Sequence, residues 1–154
     1  MSSLAGFLGI KWGDDANGAA ASLGVSCDEW KSWEGGQDYK ACFDINHPVE
    51  AFGRKAFVRL FRHQNRLEGL SLRFMHCGAT RAELAAAVRQ EFALAEANGL
   101  PYDVFADGAA VHLDYDSGDD TCTLTIAGPR FGKAFAAYQL EQGFKGLALG
   151  LRPP

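Results

Sequence analysis

The amino-acid sequence predicts a single α+β domain over residues 1–154, an antiparallel sheet of about five strands with two or three helices packed on one face, in the order α-β-β-β-α-β-β-α. Three observations carry this. Runs near residues 39–46, 54–63 and 66–75 alternate apolar and polar side chains with the two-residue period of half-buried strands. Thr80-Arg-Ala-Glu83 is a capping box ahead of Leu84, Ala87, Val88, Phe92 and Ala95 at helical spacing. Two shorter alternating runs, 109–115 and 121–127, flank an aspartate-rich stretch. With 154 residues and 47% hydrophobic composition the chain can bury one sizeable core, and no linker or low-complexity segment divides it.

Taken in order, Asp14 to Gly24 reads as a short helix with an aspartate N-cap and a glycine suited to the left-handed C′ position. Gly18 costs it about 1 kcal/mol relative to alanine, so packing of Leu23 and the alanines must hold it in place. Residues 25–38, with Trp30, Trp33 and Gly35-Gly36, read as a loop. In the hairpin that follows, Val58 and Leu60 must share a face with Leu70, Leu72 and Phe74. Even positions pair with even positions only across an odd-length loop, so a three-residue loop His63-Gln64-Asn65 is expected, with Asn65 left-handed. Phe43, Ile45, Val58, Leu60, Leu70, Leu72 and Phe74 then form the core face. Asn98-Gly-Leu-Pro101 stops the second helix. A third, Phe131 to Gln142, sets Phe131, Phe135 and Tyr138 on one side, ends at Gly143 and leaves an apolar tail through Leu151.

Composition narrows function mainly by exclusion. The net charge of -4 and a pI near 5.5 give no general attraction to nucleic acid or anionic lipid. No apolar run reaches membrane-spanning length, and the start lacks a basic segment before its short apolar piece. The expected location is cytoplasmic as written, or periplasmic if a signal peptide has been removed. Cys27, Cys42, Cys77 and Cys122 lack the C-x-x-C spacing of zinc or thioredoxin sites. Free thiols are the expectation, with two disulfides the alternative for an exported chain.

Asp114, Asp116, Asp119 and Asp120 suggest a calcium loop, but counting Asp114 as first puts Thr125 where the EF-hand template needs a bidentate glutamate. A solvated hairpin tip is the better reading. His47, His63, His76 and His112 are not spaced as metal ligands, and His76-Cys77 are strand neighbours that point to opposite faces. No catalytic residue, metal ligand or cofactor is therefore assigned.

The unusual feature is the face opposite the expected core. Lys55, Phe57, Arg59 and Phe61 would line up beside Ser71, Arg73 and Met75, with Lys40 and Cys42 on the neighbouring strand. Between Arg54 and Arg73 lie six basic residues and one acid, Glu68, in a chain that is acidic as a whole. Aromatics interleaved with arginine suit a protein interface, and the negative remainder of the chain favours a protein partner over nucleic acid. Phe57, Arg59, Phe61 and Arg73 are the candidate binding residues. The face needs cover, either from the chain's own Phe144 to Leu151 or from a second copy. Because Arg59 and Arg73 would approach their symmetry mates, a monomer or weak homodimer is expected. A separate reading places a small-molecule or enzyme pocket under a lid formed by Trp30 and Trp33.

Phe7-Leu-Gly-Ile-Lys-Trp-Gly13, Ala20-Ala-Ser-Leu-Gly24, Val58-x-Leu60 and Asn65-Arg-Leu-x-x-Leu-x-Leu-x-Phe74 together give residues 7–75 a helix-and-hairpin pattern. It resembles small bacterial envelope proteins akin to the outer-membrane assembly lipoprotein BamE and the β-lactamase inhibitor protein. The resemblance implies a helix-on-sheet module without catalytic residues, of inhibitor, immunity or assembly-factor type, whose open sheet face contacts another protein. The sequence departs from that pattern in having no lipid-attachment cysteine near its start. The order of elements is also similar to that of type III secretion chaperones, which implies the alternative of a dimer holding an unfolded cargo segment.

Overall fold

A computed structural model describes residues 4–36 and 38–148, with side chains through Gln142. A small hairpin, β1 (Gly6–Phe7) and β2 (Ile10–Lys11), precedes α1 (Ala16–Leu23). Then come β3 (Lys31–Ser32), β4 (Tyr39–Ala51), β5 (Arg54–His63), β6 (Arg66–Met75) and, after a 3₁₀ turn, α2 (Arg81–Glu91). The chain continues through β7 (Tyr102–Val104), β8 (Ala110–Asp116) and β9 (Thr121–Ala127) into α3 (Pro129–Ala148). Seven strands form one antiparallel sheet in the order β3-β4-β5-β6-β9-β8-β7, two more than the five expected. The additions are its edge strands, β3 and β7, which are only two and three residues long.

Helix α1 forms as its caps dictate. The Asp15 carboxylate accepts from the Gly18 N–H, and Gly24 closes the helix at φ 71°, a left-handed position that costs glycine little. Thr80 precedes α2 as expected, but its hydroxyl accepts from Arg54 Nη1 at 2.7 Å and makes no capping bond. The helix stops at Glu91, earlier than the apolar spacing suggests, and Ala93 follows in a left-handed conformation.

The β5–β6 strands have their expected bounds, and Val58 and Leu60 share the core face with Leu70, Leu72 and Phe74 as expected, Val58 pairing with Leu72 and Leu60 with Leu70. The loop differs. His63 pairs with Arg66 across a two-residue turn, with Gln64 rather than Asn65 left-handed. A bulge restores the parity: Phe61 pairs with Gly69 but Arg62 with Leu67, leaving Glu68 as the extra residue.

The parity of β4 is opposite to the expectation. Cys42 pairs with Leu60 and Asp44 with Val58, so these two face the core while Tyr39, Ala41 and Phe43 face outward. Two interactions hold that choice. Cys42 is bonded to Cys27, and buried Asp44 accepts from the Ser26 and Asn46 amides at 2.8 Å each, with the His47 ring at 2.7 Å. Phe43 and Ile45, assigned to the core from their apolarity, are 43% and 64% exposed. The register then slips between Asp44 and Val49, so Ile45-Asn-His-Pro48 bows out of the strand. Cys77 is bonded to Cys122, so all four cysteines are paired and the free-thiol expectation is corrected.

Helices lie on both faces, not on one. Ala19 and Ala20 of α1 and Leu84, Ala85 and Val88 of α2 pack with Val58, Leu60, Leu70, Leu72, Phe74, Leu113, Leu124 and Ile126 in the larger core. Helix α3 crosses to the other face, where Phe131, Ala134 and Phe135 join Trp33, Tyr39, Ala41, Phe61, Ala110 and Ala127. The centre of that second core is Phe131, stacked on Phe61 with ring centroids 4.4 Å apart. It sits directly over Gly69, where a Cβ would come within 2.4 Å of the Phe131 ring. A side chain at position 69 would push the helix off the sheet.

Candidate protein-binding face

Strand register divides the outer face into rows. The row Ala41–Phe61–Gly69–Ala127–Ala110 lies under α3 and is apolar. The next rows emerge from beneath the helix: Phe43–Arg59–Ser71–Thr125–His112, then Phe57–Arg73–Thr123–Asp114, then Met75–Thr121–Asp116. Part of this area forms a trough of about 450 Å³ lined by Phe43, Arg59, Ser71, Arg73, Asp114, Asp116, Asp119, Thr121 and Thr123. Beside it Ile45 and Met75 stand 64% and 45% exposed.

The arginines of the trough are held from opposite rims. Glu34 grips Arg59 with both carboxylate oxygens, at 3.0 and 2.6 Å, and this bidentate pair holds the Glu34 carboxyl below its ordinary pKa. Arg73 Nη2 donates to Asp119 at 2.7 Å. The Asp119 carboxyl is also lowered, first by the Thr121 hydroxyl that donates to it and then by Arg73. The Arg59 guanidinium further lies 5.1 Å from the centre of the Phe61 ring, at the boundary between covered and open halves.

Three of the four hairpin aspartates serve internal structure. Asp116 accepts from the Gly118 amide, Asp119 from Arg73 and Thr121, and Asp120 from the Tyr115 hydroxyl and the Gly78 amide. Asp114 and Asp116 project from the trough side of β8 with no ion pair among the described residues. At the covered end, the His112 ring lies tilted against Tyr102 with centroids 4.4 Å apart, and burial lowers its pKa despite the charge of Asp114.

Of the six candidate residues, Phe57, Arg59 and Arg73 come together on the half that the described residues leave open. Phe61 shares their side of the strand but is 4% exposed beneath α3. Trp33 is equally buried in the second core, edge-on to Phe131 with ring centroids 5.0 Å apart. Trp30 packs with the larger core on the other face, donates to Asn17 Oδ1 at 3.2 Å and carries the Arg62 guanidinium 4.8 Å over its ring. The two tryptophans therefore do not form one lid.

Phe43 and the Asp114–Asp116 pair were missed as site residues. Parity along β8 was the signal for the aspartates, since residues 112, 114 and 116 oppose the apolar positions Val111, Leu113 and Tyr115. Lys40 and Cys42 leave the outer face with the corrected parity of β4. The proposed cover from Phe144 to Leu151 concerns side chains outside the described residues. The chain matches no protein-family model, no curated protein and no solved structure at a significant level.

Proposed function

We propose that this chain is a non-enzymatic protein-binding module, of inhibitor, immunity or assembly-factor type, that meets another protein through the half of the outer sheet face not covered by α3. One observation carries the reading. Phe43, Phe57, Ile45 and Met75 surround arginines already fixed by the chain's own acids, so apolar contact surface is presented on a rigid sheet with its polar groups pre-arranged. A partner gains burial of those side chains with little ordering cost.

The disulfides Cys27–Cys42 and Cys77–Cys122 favour an oxidising compartment, hence the periplasmic alternative, because cytosolic thiols are kept reduced. No helix among the described residues is long and apolar enough to cross a membrane. The secretion-chaperone alternative requires an obligate dimer; light scattering at two concentrations and two salt levels separates it from the monomer or weak dimer of the present reading.

Affinity capture from the source cells tests the function. Wild type is compared with Phe57→Ser/Met75→Ser, two exposed or half-exposed changes chosen in place of buried Phe61. A partner recovered by wild type and lost from a variant with an unchanged thermal melt is the expected result. Equal recovery by both overturns the reading.

A further inference from the structure

The trough also specifies the chemistry of what enters it. Its lining carries Arg59 and Arg73 against Asp114, Asp116 and Asp119, and Glu34 adds a further carboxylate on Arg59. Both arginines are engaged by Glu34 and Asp119, which leaves Asp114 and Asp116 as the charges without an ionic partner among the described residues. They lie two residues apart on the same side of β8, beside the hydroxyl-bearing Thr121 and Thr123. Lys55 lies near the start of β5, beyond Phe57, and does not line the trough.

We propose that the trough receives a basic side chain, arginine or lysine, from a partner polypeptide whose neighbouring apolar side chains rest on Phe43, Phe57 and Met75. This rests on the protein-binding reading above and names the partner's chemistry. Charge complementarity selects this occupant over the others. A second copy of the chain would bring the same unpaired carboxylates face to face, and phosphate groups of nucleic acid or lipid would meet a net negative lining. A cation placed between Asp114 and Asp116, beside the Thr121 and Thr123 hydroxyls, completes the ionic pairing of the trough.

The test uses the full chain, isotope-labelled for nuclear magnetic resonance, and two twelve-residue peptides in which leucine or phenylalanine alternates with arginine in one and with glutamate in the other. The arginine peptide is expected to shift the amides of Arg73, Asp114, Asp116 and Thr123, and to bind less tightly as salt rises. Asp114→Asn/Asp116→Asn should weaken it at least about tenfold. Asparagine keeps an Oδ1 for the Gly118 amide, so the hairpin turn is preserved. Preference for the glutamate peptide, an unchanged affinity in the double variant, or no shift at these amides overturns the proposal. If those failures occur while partner capture still depends on Phe57 and Met75, the binding face stands and only the partner's charge is wrong. Shifts centred on α2 with capture unaffected by the face would remove the face itself.

Discussion

Truncating Phe131 to alanine should release α3 from the sheet and lay bare a face the native protein keeps half covered. The ring is fully buried and meets four others: Phe61 at 4.4 Å, Trp33 at 5.0 Å, Tyr39 at 5.1 Å and Phe135 at 6.1 Å. An aromatic side chain buries roughly 150–250 Å², which at about 25 cal/mol per Å² is worth roughly 4–6 kcal/mol as an upper bound. Part of that is retained by the alanine, and a cavity penalty is added, so a loss of about 3–5 kcal/mol is expected. Against a total stability of roughly 5–15 kcal/mol, the variant should fold but melt far earlier. Denaturant titration followed by tryptophan fluorescence is the assay, because Trp33 reports on this cluster directly. A loss below about 0.5 kcal/mol, within the range of surface changes, would refute the docking of α3 on Gly69 and with it the division of the outer face.

Asp44→Asn should cost about 1–3 kcal/mol at neutral pH by weakening the acceptor set that holds Ser26, Asn46 and His47. Although burial opposes ionisation of Asp44, those donors hold its pKa below the ordinary value, so the stability it supplies is present above the unfolded aspartate range and is lost as pH falls through the native value. The acid limb of a urea midpoint-against-pH curve should therefore flatten in the variant. Glu68 has the opposite sign: burial raises its pKa, despite Arg130, His63 and Arg66, so the native state holds the proton more tightly than the unfolded chain. Glu68→Gln should match or exceed wild type at pH 7, with the advantage vanishing below the usual carboxylate range in the same titration. Intact-mass analysis after alkylation without reductant should find no modified thiol in the folded protein. Removing Cys77–Cys122, which closes the longer loop, should cost about 4 kcal/mol, against about 3 for Cys27–Cys42.

The residues show why some of this was legible and some was not. The bounds of strands β5 and β6 and the shared core face of Val58, Leu60, Leu70, Leu72 and Phe74 follow from their two-residue period. The two-residue turn and the Glu68 bulge are invisible because one shifts parity and the other shifts it back. Strand β4 misleads, since Ala41, Cys42, Phe43 and Ile45 are apolar on both faces and a carboxylate occupies a buried position. Its true parity depends on Cys27 and Ser26, which are distant in sequence. Strands of two or three residues, β3 and β7, contain too little chain to show a period. The site was half legible. Phe57, Arg59 and Arg73 follow from strand parity, whereas the burial of Phe61 and Trp33 depends on where α3 docks, and helical spacing cannot choose between the two faces of a sheet.

The central claim, that the uncovered half-face meets another protein, is tested most directly by photo-crosslinking in the source cells. Phe57→p-benzoylphenylalanine and Met75→p-benzoylphenylalanine place the probe on the open face, and Ala86→p-benzoylphenylalanine places it on exposed α2 as the control. One and the same adduct is expected from positions 57 and 75 and none from 86. An adduct from position 86 with none from 57 or 75 would contradict it.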